Sequence, residues 1–115
     1  MPDIAPASLP APPYYAVVFT SVRTAGENGY GDRAERMLEL AAGQPGFLGV
    51  DSARSADGLG ITVSYWKDEE SIAAWRSHAE HALTRTHGRE HWYASFSVHV
   101  AKVERAYGFL RPEDL

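Results

Sequence analysis

Residues 47–75, FLGVDSARSADGLGITVSYWKDEESIAAW, decide the fold, because two strand patterns, a turn and a helix start follow one another within them. The segments Phe47–Arg54 and Gly60–Trp66 are rich in β-branched and aromatic residues, which favour strands. Asp57-Gly58 between them is typical of a tight hairpin turn. The stretch therefore predicts an antiparallel hairpin followed by a helix that Asp68 can cap.

The helix after this hairpin is predicted to have one apolar face and to end at Gly88. Its apolar residues recur with helical spacing and are Ile72, Trp75, Ala79, Ala82 and Leu83. His78 lies at the border of this face, whereas His81 points further toward solvent. Of these two imidazoles, His78 is the better placed to act on a bound molecule.

Outward from the hairpin, the remaining segments predict two more strands and one more helix. Tyr14–Arg23 is apolar on both alternating faces, which is typical of a strand covered on both sides. Asp32 and Glu35 can form a capping box for a first helix, which Gly43, Pro45 and Gly46 stop. Downstream, residues 91–107 alternate over a long stretch and predict a fourth, bulged strand. Strict alternation places on one side of it the residues Tyr93, Ser95, Ser97, His99 and Ala101.

The element order βαββαβ predicts an α+β domain of the ferredoxin-like type over residues 14–109, with a four-stranded antiparallel sheet. Two helices cover only one face of such a sheet, yet the first and last strands carry apolar residues on both sides. We therefore expect the uncovered face to pack against the same face of a second copy, which gives a homodimer joined through its sheet faces.

Both ends of the chain are predicted to be tails. Residues 1–13 contain five of the seven prolines, and proline cannot form the interior of a helix or of a central strand. We expect a neighbouring subunit to hold this Pro-rich segment in place. Residues 110–115 form the predicted C-terminal tail.

Composition excludes several classes of function. A chain of 115 residues with a formal net charge of −4 is a single domain without the basic surface that nucleic-acid binding requires. There is no run of about 18 apolar residues and no basic start of a signal peptide, so we expect a cytoplasmic protein that does not insert into membranes. Because there is no cysteine, thiol catalysis and Cys-ligated metals are excluded.

Sites for a metal ion or a nucleotide cofactor are not predicted. His78 and His81 are three residues apart, whereas metal-binding helices usually pair two histidines four residues apart or add a carboxylate. The glycines between residues 26 and 31 do not follow a strand in the pattern of a phosphate-binding loop.

Four segments resemble the antibiotic biosynthesis monooxygenase (ABM) family. They are Gln44–Val50, Asp57–Glu69, Ala74–His78 and Val103–Tyr107, and the resemblance covers residues 14–109. It implies a dimeric α+β barrel with a pocket between each sheet and its helices. The best-understood members are oxygenases that oxidise aromatic polyketide phenols or quinols without a cofactor, whereas a sister branch binds and degrades haem.

Two tryptophans of this chain match functional tryptophans of proteins in this family. Trp66 matches a pocket tryptophan of a polyketide-oxidising member, and Thr62 and Ile72 stand where that member has Asn and Tyr. Trp75 matches a tryptophan of the haem-degrading branch, whose histidine position falls on Arg85. In that alternative the haem ligand is one of the nearby histidines, which are His78, His81 and His87.

Oxygenation without a cofactor requires a base, a dry pocket and a donor for the substrate oxyanion. Imidazole changes its protonation near neutral pH, so we predict His78 as the base and Tyr93 as the oxyanion donor. The predicted substrate contacts are Trp66, Trp75, Trp92 and His81. Three functions remain open: oxidation of an aromatic phenol or quinol without a cofactor, haem degradation, and binding of a small ligand by a non-catalytic dimer.

Overall fold

The computed structural model describes residues 5–24, 37–86 and 93–112, and from residue 80 to 86 it describes the backbone alone. Strand β1 spans Tyr14–Arg23, and helix α1 is seen over residues 37–42. The remaining elements are β2 (Phe47–Arg54), β3 (Leu59–Trp66), α2 (Glu69–Thr86) and β4 (Tyr93–Val103). The predicted capping box at Asp32 and Glu35 and the predicted helix stop at Gly88 lie outside the described residues.

The four strands form one antiparallel sheet in the order β2-β3-β1-β4. This order confirms the predicted ferredoxin-like α+β fold. Strand β4 ends at Val103, earlier than the alternation predicted, because Val103 pairs with Tyr14 and β1 begins there. Residues 104–112 therefore extend past Tyr14, the residue at which β1 begins.

The turn between β2 and β3 is fixed by a glycine and an aspartate. Gly58 has a φ of 99°, a conformation that other residues rarely adopt. Asp57 accepts hydrogen bonds from the Ser55 hydroxyl and from the Leu59 backbone amide. Both hydrogen bonds lower the pKa of the Asp57 carboxyl, and the bond from Ser55 has the larger effect. The predicted hairpin turn is confirmed.

The start of α2 is capped as predicted. The Asp68 carboxylate accepts a hydrogen bond of 2.8 Å from the Ser71 amide. Hydrogen bonds from Ser71 lower the pKa of Asp68. Gly46 has a φ of 83°, and a side chain there would collide with that of Ser71. The loop before β2 is thus fitted closely to the first turn of α2.

The strand register determines which side chains share a face, because cross-strand partners point to the same side. Trp66 contacts Trp75 of α2, so we call the side of the sheet that carries Trp66 the helix-side face and the other the open face. Four rows cross the helix-side face from β2 to β4: Arg54–Gly60–Ser21–Phe96, Ser52–Thr62–Phe19–Val98, Val50–Ser64–Val17–Val100 and Phe47–Trp66–Tyr15–Lys102.

The N-terminal tail packs on the open face of its own sheet. The Ala7 amide donates a hydrogen bond of 2.8 Å to Asp51 Oδ1, and Tyr65 donates one of 3.1 Å to Asp51 Oδ2. Burial raises the pKa of Tyr65, and the hydrogen bond to Asp51 raises it further. The side chains of Ala7 and Leu9 cover Gly49. The chain's own sheet therefore holds residues 7–9 of the tail, and a contact with a neighbouring subunit stays a prediction.

Candidate functional site

Four aromatic rings form a continuous stack from the sheet to the surface of α2. Phe47 meets Trp66 edge-on at 5.4 Å between ring centroids. Trp66 is stacked on Trp75 at 6.2 Å, and Trp75 on His78 at 5.6 Å. We call these four residues the aromatic stack. Trp75 and His78 lie on one side of α2 because they are three residues apart.

Trp66 is the buried base of the aromatic stack. It has 0% of its surface exposed, and its indole nitrogen donates a hydrogen bond of 2.9 Å to Ser64. Phe47 and Trp75 contact its ring and leave none of it exposed. In this structure Trp66 supports Trp75. That Trp66 also contacts a substrate stays a prediction.

His78 is the exposed end of the aromatic stack. Its imidazole is exposed, and the angle between its plane and that of the Trp75 ring is 29°. Stacking occupies a face of the ring and leaves the two nitrogens, which lie at the ring edge, outside the contact. The imidazole is thus oriented by Trp75, and both of its nitrogens lie outside the ring contact.

Tyr93 belongs to a second group of rings on the helix-side face. Its ring lies 5.5 Å from that of Phe19 and 5.9 Å from that of Phe96, and these two are 5.4 Å apart. We call these three residues the aromatic triad. Alternation had placed Tyr93 with Ser95, but the register shifts between Val22 and Arg23 and turns Tyr93 to the helix-side face. The prediction of its side was therefore wrong.

The aromatic stack and the aromatic triad lie at different heights on the same face. Trp66 pairs with Tyr15, and Phe19 is four residues further along β1, so about 13 Å of strand separates the two rows. Val17 and Val100 lie between them. Together these side chains form an elongated apolar floor between two aromatic ends, and a flat molecule matches such a surface.

Beside the apolar floor, the β2–β3 half of the helix-side face carries polar side chains. The hydroxyls of Ser52 and Thr62 are 2.8 Å apart and hydrogen-bonded. At the end next to the aromatic triad, Arg54 donates hydrogen bonds to Ser21 Oγ at 2.9 Å and to the Gly58 carbonyl. Arg54 was not among the predicted site residues. The available signal was Gly60, because a glycine inside a strand often marks a close approach by another group.

Several predicted site residues are not covered by these observations. Trp92 and His87 lie outside the described residues, and so does the side chain of His81. Ser97 and His99 pair with Thr20 and Val18, so they lie on the open face, away from the stack. Trp75 and His78 are the predicted site residues that the structure brings into ring contact at the surface.

The described residues were compared with the patterns of metal-binding clusters and of membrane-spanning helices. Among the described residues there is no group of three His, Cys, Asp or Glu side chains that could hold a metal ion. No helix in the described ranges is both long and apolar enough to cross a membrane.

Known proteins resemble this chain in sequence and in fold. The family model described as antibiotic biosynthesis monooxygenase matches residues 13–86. A curated relative, the uncharacterized protein YqjZ of Bacillus subtilis (strain 168), is 58% identical over 96 residues, which are 84% of this chain and 84% of that protein.

Solved structures share the fold at low sequence identity. SnoaB from Streptomyces nogalater, described as a cofactor-independent oxygenase, is 13% identical with a TM-score of 0.69, over 83% of this chain and 97% of that one. PA3566 from Pseudomonas aeruginosa is 15% identical with a TM-score of 0.63, over 84% and 98%. These structures support the fold alone, whereas the family model covers more than half of the sequence. On that match, the chain belongs to the antibiotic biosynthesis monooxygenase family.

Proposed function

We propose that this protein is a monooxygenase that oxidises an aromatic phenol or quinol with dioxygen and without a bound cofactor. One observation carries the proposal: an exposed imidazole, His78, is oriented by stacking on Trp75, whose ring stacks in turn on Trp66 at one end of the apolar floor. Family membership supports this chemistry, and so does the description of SnoaB, which shares the fold, as a cofactor-independent oxygenase.

In the proposed reaction His78 removes the proton of the substrate hydroxyl. The phenolate passes one electron to dioxygen. The resulting phenoxyl radical carries spin density on its ring carbons, and superoxide combines with it at one of these carbons to form a peroxide. The imidazolium protonates the outer oxygen of this peroxide. The neutral imidazole then takes the proton of the ring carbon while the O–O bond breaks and hydroxide leaves, and this proton and the hydroxide form water. One phenol and one dioxygen thus give one quinone and one water. A water-poor slot favours these steps because it shields the radical pair.

The substrate lies flat on the apolar floor in this proposal. Trp75 supplies the ring against which it stacks. Tyr93 stays the predicted oxyanion donor, and Phe19 and Phe96 fix its ring by edge contacts. Because the aromatic triad lies at the other end of the floor from the aromatic stack, the oxygen that Tyr93 contacts in this proposal is one at the far edge of the substrate, onto which the phenolate charge is delocalised. His81 and Trp92 remain predicted substrate contacts.

We also propose that the protein functions as a homodimer through the open face. Three apolar side chains on that face are exposed, namely Val22, Leu59 and Ile61. Beyond β4, Tyr107, Phe109 and Leu110 are 99%, 80% and 90% exposed. A second copy packed on the open face would remove apolar surface from water, which favours association.

Oxygen uptake tests the proposed activity. Purified protein is supplied with 1-naphthol, 1,4-dihydroxynaphthalene or anthrahydroquinone in an oxygen electrode, and the rate without protein is subtracted. We expect uptake without added flavin, haem or reductant, with one quinone formed from 1-naphthol per dioxygen. Uptake that requires an added cofactor would contradict the proposal, and so would no uptake with any substrate.

A haemin titration, followed by absorbance, distinguishes the proposed oxidation of a phenol or quinol from haem degradation. Under the proposal we expect no stoichiometric shift of the Soret band. A stoichiometric shift that disappears after ascorbate is added in air would favour haem degradation. Protein that binds the aromatic compounds, consumes no oxygen and leaves haemin unchanged would be a non-catalytic binding dimer.

A further inference from the structure

The open face of the sheet is thick at one edge and thin at the other. At the β2 edge, residues 7–9 of the tail lie on the sheet, because Ala7 and Leu9 cover Gly49 and the Ala7 amide is bonded to Asp51. At the β4 edge, the four side chains that share this face are exposed and mostly small, and they are Ser95, Ser97, His99 and Ala101. The β2 edge thus carries an additional layer of chain, for which the β4 edge leaves room.

A twofold axis between two open faces can relate two copies in two ways. An axis that runs across the strands stacks β2 on the partner's β2, which brings the two tails together and leaves a gap between the two thin edges. An axis that runs along the strands stacks β2 on the partner's β4, which places each tail on a thin edge. The second arrangement fills both edges, as the close packing of protein interfaces requires.

The strand register identifies the residues that face each other in this second arrangement. An axis along the strands does not change a residue's position along its strand, so each row of the open face lies on the same row of the partner in reverse order. The central row of the open face is Asp51–Val63–Val18–His99. Asp51 therefore faces the partner's His99, and Val63 faces the partner's Val18.

Asp51 and the partner's His99 are chemically complementary. Asp51 accepts one hydrogen bond on each carboxylate oxygen, from the Ala7 amide and from the Tyr65 hydroxyl, and both donors are neutral. Each carboxylate oxygen can accept about two hydrogen bonds, so Asp51 can also accept one from an imidazole N–H. His99 is exposed, and an imidazole that a second copy covers needs a hydrogen-bond partner. The arrangement supplies this partner twice, once on each side of the axis.

We propose that a second copy docks with its β4 on β2 and the tail of this chain, so that each Asp51 accepts a hydrogen bond from the partner's His99. Residues 7–9 then belong to the interface, because their own sheet holds them and the partner's β4 covers them. This inference rests on the proposed homodimer through the open face, and it adds the orientation of the two copies and their polar contact.

Cysteine substitutions test the orientation, because the chain has no cysteine of its own. Ala53 and Ser97 are the two ends of one row of the open face, so Ala53 faces the partner's Ser97 in the proposed dimer. After subunit exchange, we expect a short bis-maleimide to cross-link a mixture of Ala53→Cys and Ser97→Cys, but neither variant alone. Val100→Cys lies on the helix-side face of the same strand as Ser97 and should not be cross-linked to Ala53→Cys.

Charge substitutions test the polar contact. His99→Glu places a carboxylate against the partner's Asp51, and we expect it to weaken the dimer at least about tenfold, because like charges in contact repel. Asp51→Asn keeps an oxygen for the Ala7 amide and offers an N–H donor to the introduced carboxylate. The double variant Asp51→Asn/His99→Glu should therefore associate more tightly than His99→Glu. Ser97→Glu is the matched control, because it faces the partner's Ala53 and Asp51→Asn should not restore its association.

Sedimentation velocity and cross-linking separate this inference from the proposed dimer. A wild-type protein that stays monomeric would refute both. A wild-type dimer in which Ser97→Cys alone is cross-linked would place β4 on the partner's β4 and overturn the orientation, and so would a mixture without cross-links, while the dimer itself would stand. If Asp51→Asn does not restore the association of His99→Glu, the contact between Asp51 and the partner's His99 is wrong.

Discussion

At the scale of single residues, the contact between Trp75 and His78 orients the imidazole that we propose as the base. The i, i+3 spacing places both rings on one side of α2, and this much was predictable from the sequence. The burial of Trp66 was not predictable, because an aromatic residue at the end of a strand looks the same in sequence whether it faces a ligand or another ring. The second partner of Trp66, Phe47, comes from a different strand, which a local pattern does not indicate.

The role of His78 leads to a first prediction. His78→Ala should lower kcat for an accepted phenol by roughly 10² or more, because proton transfer by a positioned base contributes at least that factor. The oligomeric state should not change. The rate of product formation is measured at saturating substrate, together with KM.

His78→Gln and His81→Ala sharpen this comparison. Glutamine retains polarity but cannot act as a base near neutral pH, so it should be as slow as alanine. If His81→Ala abolishes turnover while His78→Ala retains it, the base is His81 and the assignment to His78 is wrong.

The burial of Trp66 leads to a second prediction. Trp66→Ala should reduce the free energy of unfolding by about 3–5 kcal/mol, because it empties a large, fully enclosed volume. Trp66→Phe keeps an aromatic ring and should cost less than the alanine variant. Urea unfolding measures both values. Equal stability of Trp66→Ala and the wild type would show that the indole does not support the stack.

At the scale of secondary-structure elements, α2 and β4 show which local features are readable in a sequence. The Asp68 cap was predictable, since its hydrogen bond joins residues three apart in the chain. The position of the irregularity in β4 was not, because it depends on the register with β1 and Ala94 has no distinguishing side chain. That one-residue shift is what moves Tyr93 to the side of the sheet that carries the proposed site.

The cap of α2 leads to a third prediction, which includes a pH dependence. Asp68→Ala should lower Tm by a few degrees at neutral pH, whereas Asp68→Asn should stay close to the wild type because asparagine also caps helices. The pKa of Asp68 is lowered in the folded protein, so its contribution is complete above the ordinary pKa of an aspartate and is lost as the pH falls through the lowered pKa.

Thermal scans over a series of pH values check this dependence. The difference in Tm between the wild type and Asp68→Ala should disappear in strong acid. A difference that stays constant from neutral to acidic pH would mean that the ionised carboxylate does not stabilise the helix.

At the scale of the whole molecule, the two faces of the sheet have different tasks in our proposals. The element order and strand pairing of the fold were predictable, because they follow from hydrophobic periodicity and turn residues. The packing of the tail on the open face was not, since it depends on Asp51, which lies 44 residues from Ala7. Long-range contacts of this kind leave no periodic signal in the sequence.

The proposed dimer leads to a fourth prediction, in which one substitution is compared on the two faces. Ile61→Lys places a charge on the open face and should shift the protein from dimer to monomer at micromolar concentration. Val100→Lys places the same charge on the helix-side face and should leave association unchanged. Sedimentation velocity measures both. Dissociation of the Val100 variant alone would assign the interface to the helix-side face.

The contact between the tail and Gly49 has a consequence for aggregation. Gly49 belongs to an edge strand, and the side chains of Ala7 and Leu9 lie where its own side chain would be. Exposed backbone on an edge strand can pair with strands of other molecules. A chain that lacks residues 1–9 should therefore form light-scattering aggregates at a lower temperature than the full chain. The segment that contains Ala7 and Leu9 would then act as a built-in protection, present in every copy, against uncontrolled strand-to-strand association.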